Sequence, residues 1–219
     1  WRSCQSSRYE MYLVPQPGFR KAGYPGCGTG ISGMDQRKCR KNAENIRKRG
    51  RVKIRIRTAD LSDLKEIARV EAECFPAAEA ATEEEFEKRL TFYKDHFWLM
   101  FEEEKLIAFV DGMVTNQEDL TDEMYEKAEM HDEKGDWQMI FGVNTLPSYR
   151  KHGYAGELIK RAITDAKEQG RKGLVLTCKD RLISYYARFG FKNEGVSESV
   201  HGNVVWNQMR LTFDEGLGE

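Results

Sequence analysis

The stretch Phe141-Gly-Val-Asn-Thr-Leu-Pro-Ser-Tyr-Arg150-Lys-His-Gly153-Tyr-Ala155-Gly156-Glu-Leu158 holds the residues best suited to chemistry. An apolar strand runs into a glycine-bearing loop and then into an amphipathic helix. The first N–H groups of a helix have no partner within it. The helix dipole adds positive character there, so the junction is an anion site. Gly153 and Ala155 keep side chains clear of an approaching pyrophosphate, and Arg150 and Lys151 add charge. The loop is not a P-loop, because the G-x-x-x-x-G-K-[ST] spacing is missing. It is not a dinucleotide fingerprint either, since G-x-G-x-x-G is absent. Past one further strand comes Leu182-Ile-Ser-Tyr-Tyr186-Ala-Arg-Phe-Gly-Phe191, a second segment rich in aromatic residues.

These residues need elements to position them. Val52–Arg57 alternates apolar with basic residues, the pattern of a half-buried strand. A helix follows, with Leu61, Leu64, Ile67, Ala68 and Val70–Ala72 as its apolar face, and Pro76 ends it. Thr82 and Glu85 form a capping box ahead of a second helix with Phe86 and Leu90. Phe97–Phe101 and Leu106–Val110 read as a hairpin. An acidic segment, Glu118–Asp136, holds nine acids and is helical within Thr121–Met130; it is either a solvated loop or a lid that attracts cationic amines. Trp137–Thr145 reads as one strand and Gly153 to Gln169 as a helix stopped by Gly170. Gly173–Cys178 is a buried strand and Leu182–Arg188 a short helix. Lys192–Glu198 and Val204–Thr212 are the last strands. The order predicts an α+β fold on one mixed sheet.

The chain has 219 residues, 40 % hydrophobic and 32 % charged, so it can bury a sizeable core. No apolar run approaches the ~20 residues of a membrane span, and a cytoplasmic location is expected. The five cysteines lack C-x-x-C spacing, which argues against a zinc site or a disulfide framework. No metal is implied. The net charge of −1 conceals a split. Residues 1–51 carry twelve Lys and Arg against three Asp and Glu, are broken by Pro and Gly, and lack apolar periodicity. The expectation is a disordered basic leader at 1–51, with translated upstream or non-native sequence as the alternative, a domain at 52–213 and a tail at 214–219. Nucleic acid is not an expected partner.

Arg150-x-x-Gly153-x-Ala155, joined to Tyr186-x-x-Phe-Gly-Phe191 with a strand between, resembles the GNAT acetyltransferases over about 52–213. Within them the chain looks most similar to the arylalkylamine (serotonin) N-acetyltransferase branch and its bacterial relatives. The resemblance implies a GNAT fold whose splayed strands hold acetyl-CoA. Main-chain groups of Val143, Asn144 and Thr145 would pair with the pantetheine arm. The loop Arg150, Lys151, His152, Gly153, Tyr154, Ala155 and Gly156 would hold the pyrophosphate. Tyr186 would be the general acid beside the sulfur. The implied reaction is direct acetyl transfer to a primary amine, small and cationic or arylalkyl, in a ternary complex. Protein N-terminal or lysine acetylation is one alternative and a non-catalytic acyl-CoA sensor another. The branch carries two histidines on the strand before the loop; Met139 and Phe141 stand there instead, which argues against serotonin itself. A carboxylate acting through water, from Glu73, Asp111 or Glu118, is the substitute expected. Cys178 reads as a buried thiol, His152 as an exposed loop residue, and Trp137 and Trp206 as core.

Overall fold

A computed structural model describes residues 9–11, 53–200, 202 and 204–213; the rest of the expected leader and the tail lie outside them. Among the described residues ten strands form two five-stranded sheets. In the first, β1 (Tyr9–Met11), β2 (Ile54–Thr58), β3 (Phe97–Glu102), β4 (Lys105–Asp111) and β7 (Gly142–Thr145) pair antiparallel in that order. In the second the order is β5 (Val114–Thr115), β6 (Trp137–Ile140), β8 (Gly173–Cys178), β10 (Asn207–Thr212) and β9 (Lys192–Val196). Only β6 and β8 run parallel there, so this sheet is mixed. The first strand among the described residues is thus three residues of the basic segment, laid along β2.

Helices cover both faces. On one side α1 (Leu64–Cys74) and α2 (Glu83–Tyr93) bury Ile67, Val70, Phe86 and Leu90 against Leu99, Phe109 and Val175. On the other, α4 (Tyr154–Glu168) buries Leu158, Ile159 and Ala162 against Trp98, Val110 and Leu176. This explains the unbroken apolar run of β3. Its successive side chains alternate between faces, and both faces are covered: Phe97, Leu99 and Phe101 meet one core, Trp98 and Met100 the other. The capping box of α2 is present. Glu85 donates its N–H to Thr82 Oγ1 at 3.2 Å, and Thr82 donates its own to Glu85 Oε2 at 2.6 Å. No helix among the described residues is long and apolar enough to cross a membrane.

Two expectations need correction. The acidic segment is neither solvated throughout nor a free lid. Its short helix α3 (Glu123–Glu126) and flanking residues bury Leu120, Met124 and Ala128 in the core, so the apolar residues between the acids anchor it. Trp137–Thr145 is not one strand in one sheet. It divides at Phe141: β6 continues the second sheet and β7 the first. The cause lies in Asp111, a partner far away in sequence. Its carbonyl accepts the Phe141 N–H at 2.8 Å and its carboxylate accepts the Gly142 N–H at 3.1 Å. Gly142 permits this approach, because a Cβ there would lie 2.5 Å from Asp111 Oδ1.

Candidate active site

The division at Phe141 opens a wedge. β6 stays in register with β8 as far as Ile140 opposite Leu176. Beyond that point β7 follows β4, while Thr177 and Cys178 of β8 stay with β10. β7 is the last strand of its sheet, so one edge is open. Leu146 donates its N–H to Ile107 O at 2.9 Å. Antiparallel ladders alternate, so Asn144 shares the β4 side with Leu146. Val143 and Thr145 therefore turn their N–H and C=O groups to the open edge. Both line a cleft of about 730 Å³.

The loop and the start of α4 form one wall of that cleft. Gly153 caps the helix with φ 90°, a left-handed conformation that glycine adopts without strain, and nothing lies within 4 Å of where its Cβ would be. Arg150, Lys151, Gly153, Tyr154 and Ala155 line the cleft, and Arg181 and Arg188 add cations from the α5 (Ile183–Ala187) region. Arg150 also ties the loop down, with Nε 3.1 Å from the Thr145 carbonyl and Nη2 3.4 Å from that of Cys74. His152 and Gly156 stand back from the cleft. His152 is exposed and stacks on Tyr154 with centroids 5.8 Å apart. Gly156 lets the ring of Phe189 pack against α4. The set is an anion cradle of backbone donors and guanidinium groups.

Tyr186 projects from α5 into the cleft, 6 % exposed, its ring edge-on to Phe191 and Tyr185. Burial first, then the neighbouring Cys178, hold its phenol well above the ordinary range, so it keeps its proton. Cys178 is itself buried, its thiol pushed up to about 11 by burial and then by Asp180, as an inert strand thiol should be.

A smaller chamber of about 70 Å³ adjoins the cleft and shares Phe75, Glu79 and Trp206 with it. Its other walls include Glu71, Arg89, Asp111, Tyr125, Phe141 and Thr177. Aromatic rings and carboxylates thus face one small space. Beside it Lys179 Nζ meets both Glu79 oxygens at 2.8 Å and lies 5.5 Å from the Trp206 ring. Trp206 is therefore a wall of the site and not core, whereas Trp137 is buried as expected.

Of the three carboxylates offered by the sequence as a base, only Asp111 reaches the chamber. Glu73 is exposed and paired with Arg69, and Glu118 is exposed with its carbonyl held by Arg210. The sequence reading missed Glu71. The signal was present: Glu71 follows Ile67 by four residues and so lies on the same inward face of α1. Among the described residues one further group has metal-like spacing, His96, His131 and Glu133. Arg171 already pairs with Glu133 Oε1 at 2.8 Å and supplies the positive charge there.

Comparison with known proteins agrees with this geometry. The model of the acetyltransferase (GNAT) family matches residues 64–191. Serotonin N-acetyltransferase of Mesocricetus auratus is 25 % identical over 114 residues, 52 % of this chain and 54 % of that protein. The chain thus spans about half the length of this curated relative. Among solved structures, the loading GNATL domain of CurA from Lyngbya majuscula superposes with a TM-score of 0.64 at 14 % identity, covering 73 % of this chain and 97 % of that one. The ribosomal-protein-S18-alanine N-acetyltransferase of Escherichia coli gives 0.57 at 17 %, covering 76 % and 99 %. The PaiA N-acetyltransferase of Thermoplasma acidophilum, solved with coenzyme A, gives 0.55 at 16 %, covering 73 % and 99 %. At these identities the structures speak for the fold; the family model covers more than half the chain. With splayed strands, a glycine-capped cationic loop at a helix start and that match in agreement, the chain belongs to the GNAT acetyltransferase family.

Proposed function

We propose that the protein moves an acetyl group from acetyl-CoA to a small cationic primary amine, arylalkylamines included. The observation that carries this reading is the wedge between β7 and β8, with the anion cradle at one end and the carboxylate-lined chamber at the other. An extended arm suits the wedge, because Val143 and Thr145 offer the donors and acceptors of a missing strand. The pyrophosphate falls to the backbone of Gly153 to Ala155 and to Arg150 and Lys151. The thioester then lies near Tyr186.

The roles follow from the groups. The amine nitrogen attacks the thioester carbon, a C–N bond forms and the C–S bond breaks. An open-edge N–H of β7 stabilises the carbonyl oxygen as it gains charge, worth roughly 3–4 kcal/mol for one such donor. Tyr186 gives its proton to the departing sulfur and recovers one from the amine nitrogen. Glu71 and Asp111 favour a cation in the chamber, and Phe75, Tyr125, Phe141 and Trp206 favour an aryl group beside it. A chamber of only about 70 Å³ beside the cleft speaks for a small amine over a peptide.

Thiol release from acetyl-CoA against arylalkylamines, polyamines, aminoglycosides and short peptides tests this. Release with small amines is the expected outcome. Release with peptides alone would move the assignment to protein acetylation. Coenzyme binding by calorimetry with no release would leave a sensor. Tyr186→Phe should lower kcat about 100-fold at unchanged KM for acetyl-CoA; an unaltered kcat would remove the phenol from the mechanism.

A further inference from the structure

Glu71 stands in the chamber wall, 5 % exposed. Its Oε1 accepts the Ala81 N–H at 3.2 Å, and its Oε2 is buried without a hydrogen-bond partner. The Asn144 amide from β7 faces it without closing a hydrogen bond. Asp111 from β4 and Arg89 from α2 flank it, and Glu79 and Glu85 line the same space. Tyr125 adds a phenol from α3. Cys74 lies one turn along α1 and faces the larger cleft.

The single guanidinium among these groups makes its hydrogen bonds elsewhere, and its Nε has no partner. Arg89 Nη1 lies 3.2 Å from Asp111 Oδ2, and its Nη2 donates to the Tyr125 carbonyl at 3.1 Å. Asp111 uses its other oxygen on the Gly142 N–H. Asp111 is therefore matched at both oxygens and Glu71 at one. A buried carboxylate oxygen with no donor is costly. The Glu71 side chain lines a chamber of about 70 Å³, and a water needs only ~10–15 Å³ measured this way. Water can therefore link Glu71 to the cleft. Met139 and Phe141, on the strand before the loop, cannot take a proton.

Resting on the acetyl transfer proposed above, we infer that Glu71 accepts the proton of the incoming ammonium group through water in the chamber, with Asp111 held beside it as a fixed negative charge. The step balances. The ammonium N–H bond breaks, water passes the proton on, and Glu71 becomes the neutral acid. The freed lone pair forms the C–N bond, and Glu71 later returns its proton to solvent. Burial, and after it the Asp111 charge, push Glu71 up to about 7, where a base serves best at neutral pH. Burial pushes Asp111 up to about 6 against the pull of Arg89.

The test is kcat/KM against pH with two amines of like shape from the panel, one strongly basic and one already neutral at pH 7. With the basic amine the wild type should rise through about 7 and then stay flat up to the ionisation of the amine itself, near ~10. Glu71→Gln should fall at least ~100-fold at pH 7. Its flat region should become a tenfold rise per pH unit up to the amine's own ionisation. With the neutral amine the deficit should nearly vanish, and KM for acetyl-CoA should not move. A flat region kept by the variant, or an equal deficit with both amines, overturns the assignment and leaves Glu71 a structural residue. Should Glu71→Gln fail to fold, the wild-type profile decides alone, and a rise that never flattens below the ionisation of the amine sinks the idea. Transfer with an unaltered variant refutes Glu71 only; a wild type that transfers to no amine refutes the acetyl transfer with it.

Discussion

Two clusters of interacting polar side chains in this molecule are built differently. In the first, His96, His131, Glu133, Gln138 and Arg171 match one another closely. Both ring nitrogens of His96 face acceptors, Gln138 Oε1 at 2.7 Å and Glu133 Oε2 at 3.0 Å. The Gln138 amide nitrogen donates to the Met113 and Met139 carbonyls. His131 Nδ1 accepts the Val114 N–H, and its Nε2 lies 3.3 Å from Glu133. Arg171 donates to the Glu133 and Gly135 carbonyls and to the Glu133 carboxylate. In the second, Glu71 Oε2, Arg89 Nε and the Asn144 amide have no partner, and Glu71 and Arg89 line a chamber. The matched group pins the acidic segment to the strands. The unmatched group is where a proton can be taken up. Satisfaction of hydrogen bonds, more than burial or charge, separates the structural cluster from the reactive one.

The contrast can be broken most forcefully at Arg89. Arg89→Met leaves two carboxylates buried without their cation, and losing one partner of a buried pair costs about 3–5 kcal/mol. Urea melts at pH 8 should show that loss, and much of it should return at pH 5, where the carboxylates can take protons. A loss equal at both pH values would mean that Arg89 acts by packing alone.

The next effect is opposite in sign. Glu71 titrates near 7 in the folded protein against an ordinary 4.5. Its contribution is thus fully present below about pH 4.5 and is lost as pH rises through about 7. Above that the folded state must bury the ion. Glu71→Gln should therefore gain stability at pH 8, on the order of 3 kcal/mol, and nearly nothing at pH 4. The same substitution that slows transfer should strengthen the fold. A variant no more stable than wild type at pH 8 would contradict the uncompensated burial.

The smallest effect belongs to the matched cluster. Glu133 is held down to about 2, chiefly by the His96 hydrogen bond and also by Arg171 and His131, against an ordinary 4.5. Its contribution is present above about 4.5 and is lost as pH falls through about 2. The side chain is 63 % exposed, so solvent screens the pairs. Glu133→Gln should cost about 1 kcal/mol at pH 7, cost nothing at pH 2, and leave kcat/KM unchanged. Thermal melts at both pH values, with one rate measurement at pH 7, check it.

The sequence was most legible where local chemistry decides structure. The Thr82–Glu85 capping box, the glycine at the start of α4 and the alternation in β2 depend on neighbours a few residues away, and each is present. The division at Phe141 was illegible, because Trp137–Thr145 is mostly apolar and reads as one continuous strand. The residue that splits it, Asp111, lies 31 positions earlier. The chamber was half legible. Asp111 stood among the candidates, yet Glu71 went unremarked within the Val70–Ala72 stretch of the helix face, and Trp206 read as core. Both became visible only when the loop after α1 and the segment before β10 closed on one space.

The open edge of β7 has a further consequence for solubility. An unpaired strand edge ordinarily invites a second protein molecule to add its own strand, the first step of edge-to-edge aggregation. This edge lies inside the fold, hemmed in by the start of α4, by α5 and by the end of β8. Those walls leave a strand less room here than an edge on the open surface would. A slender chain carrying hydrogen-bonding groups at intervals suits it better, so the shape that admits a ligand also helps to guard the protein against itself.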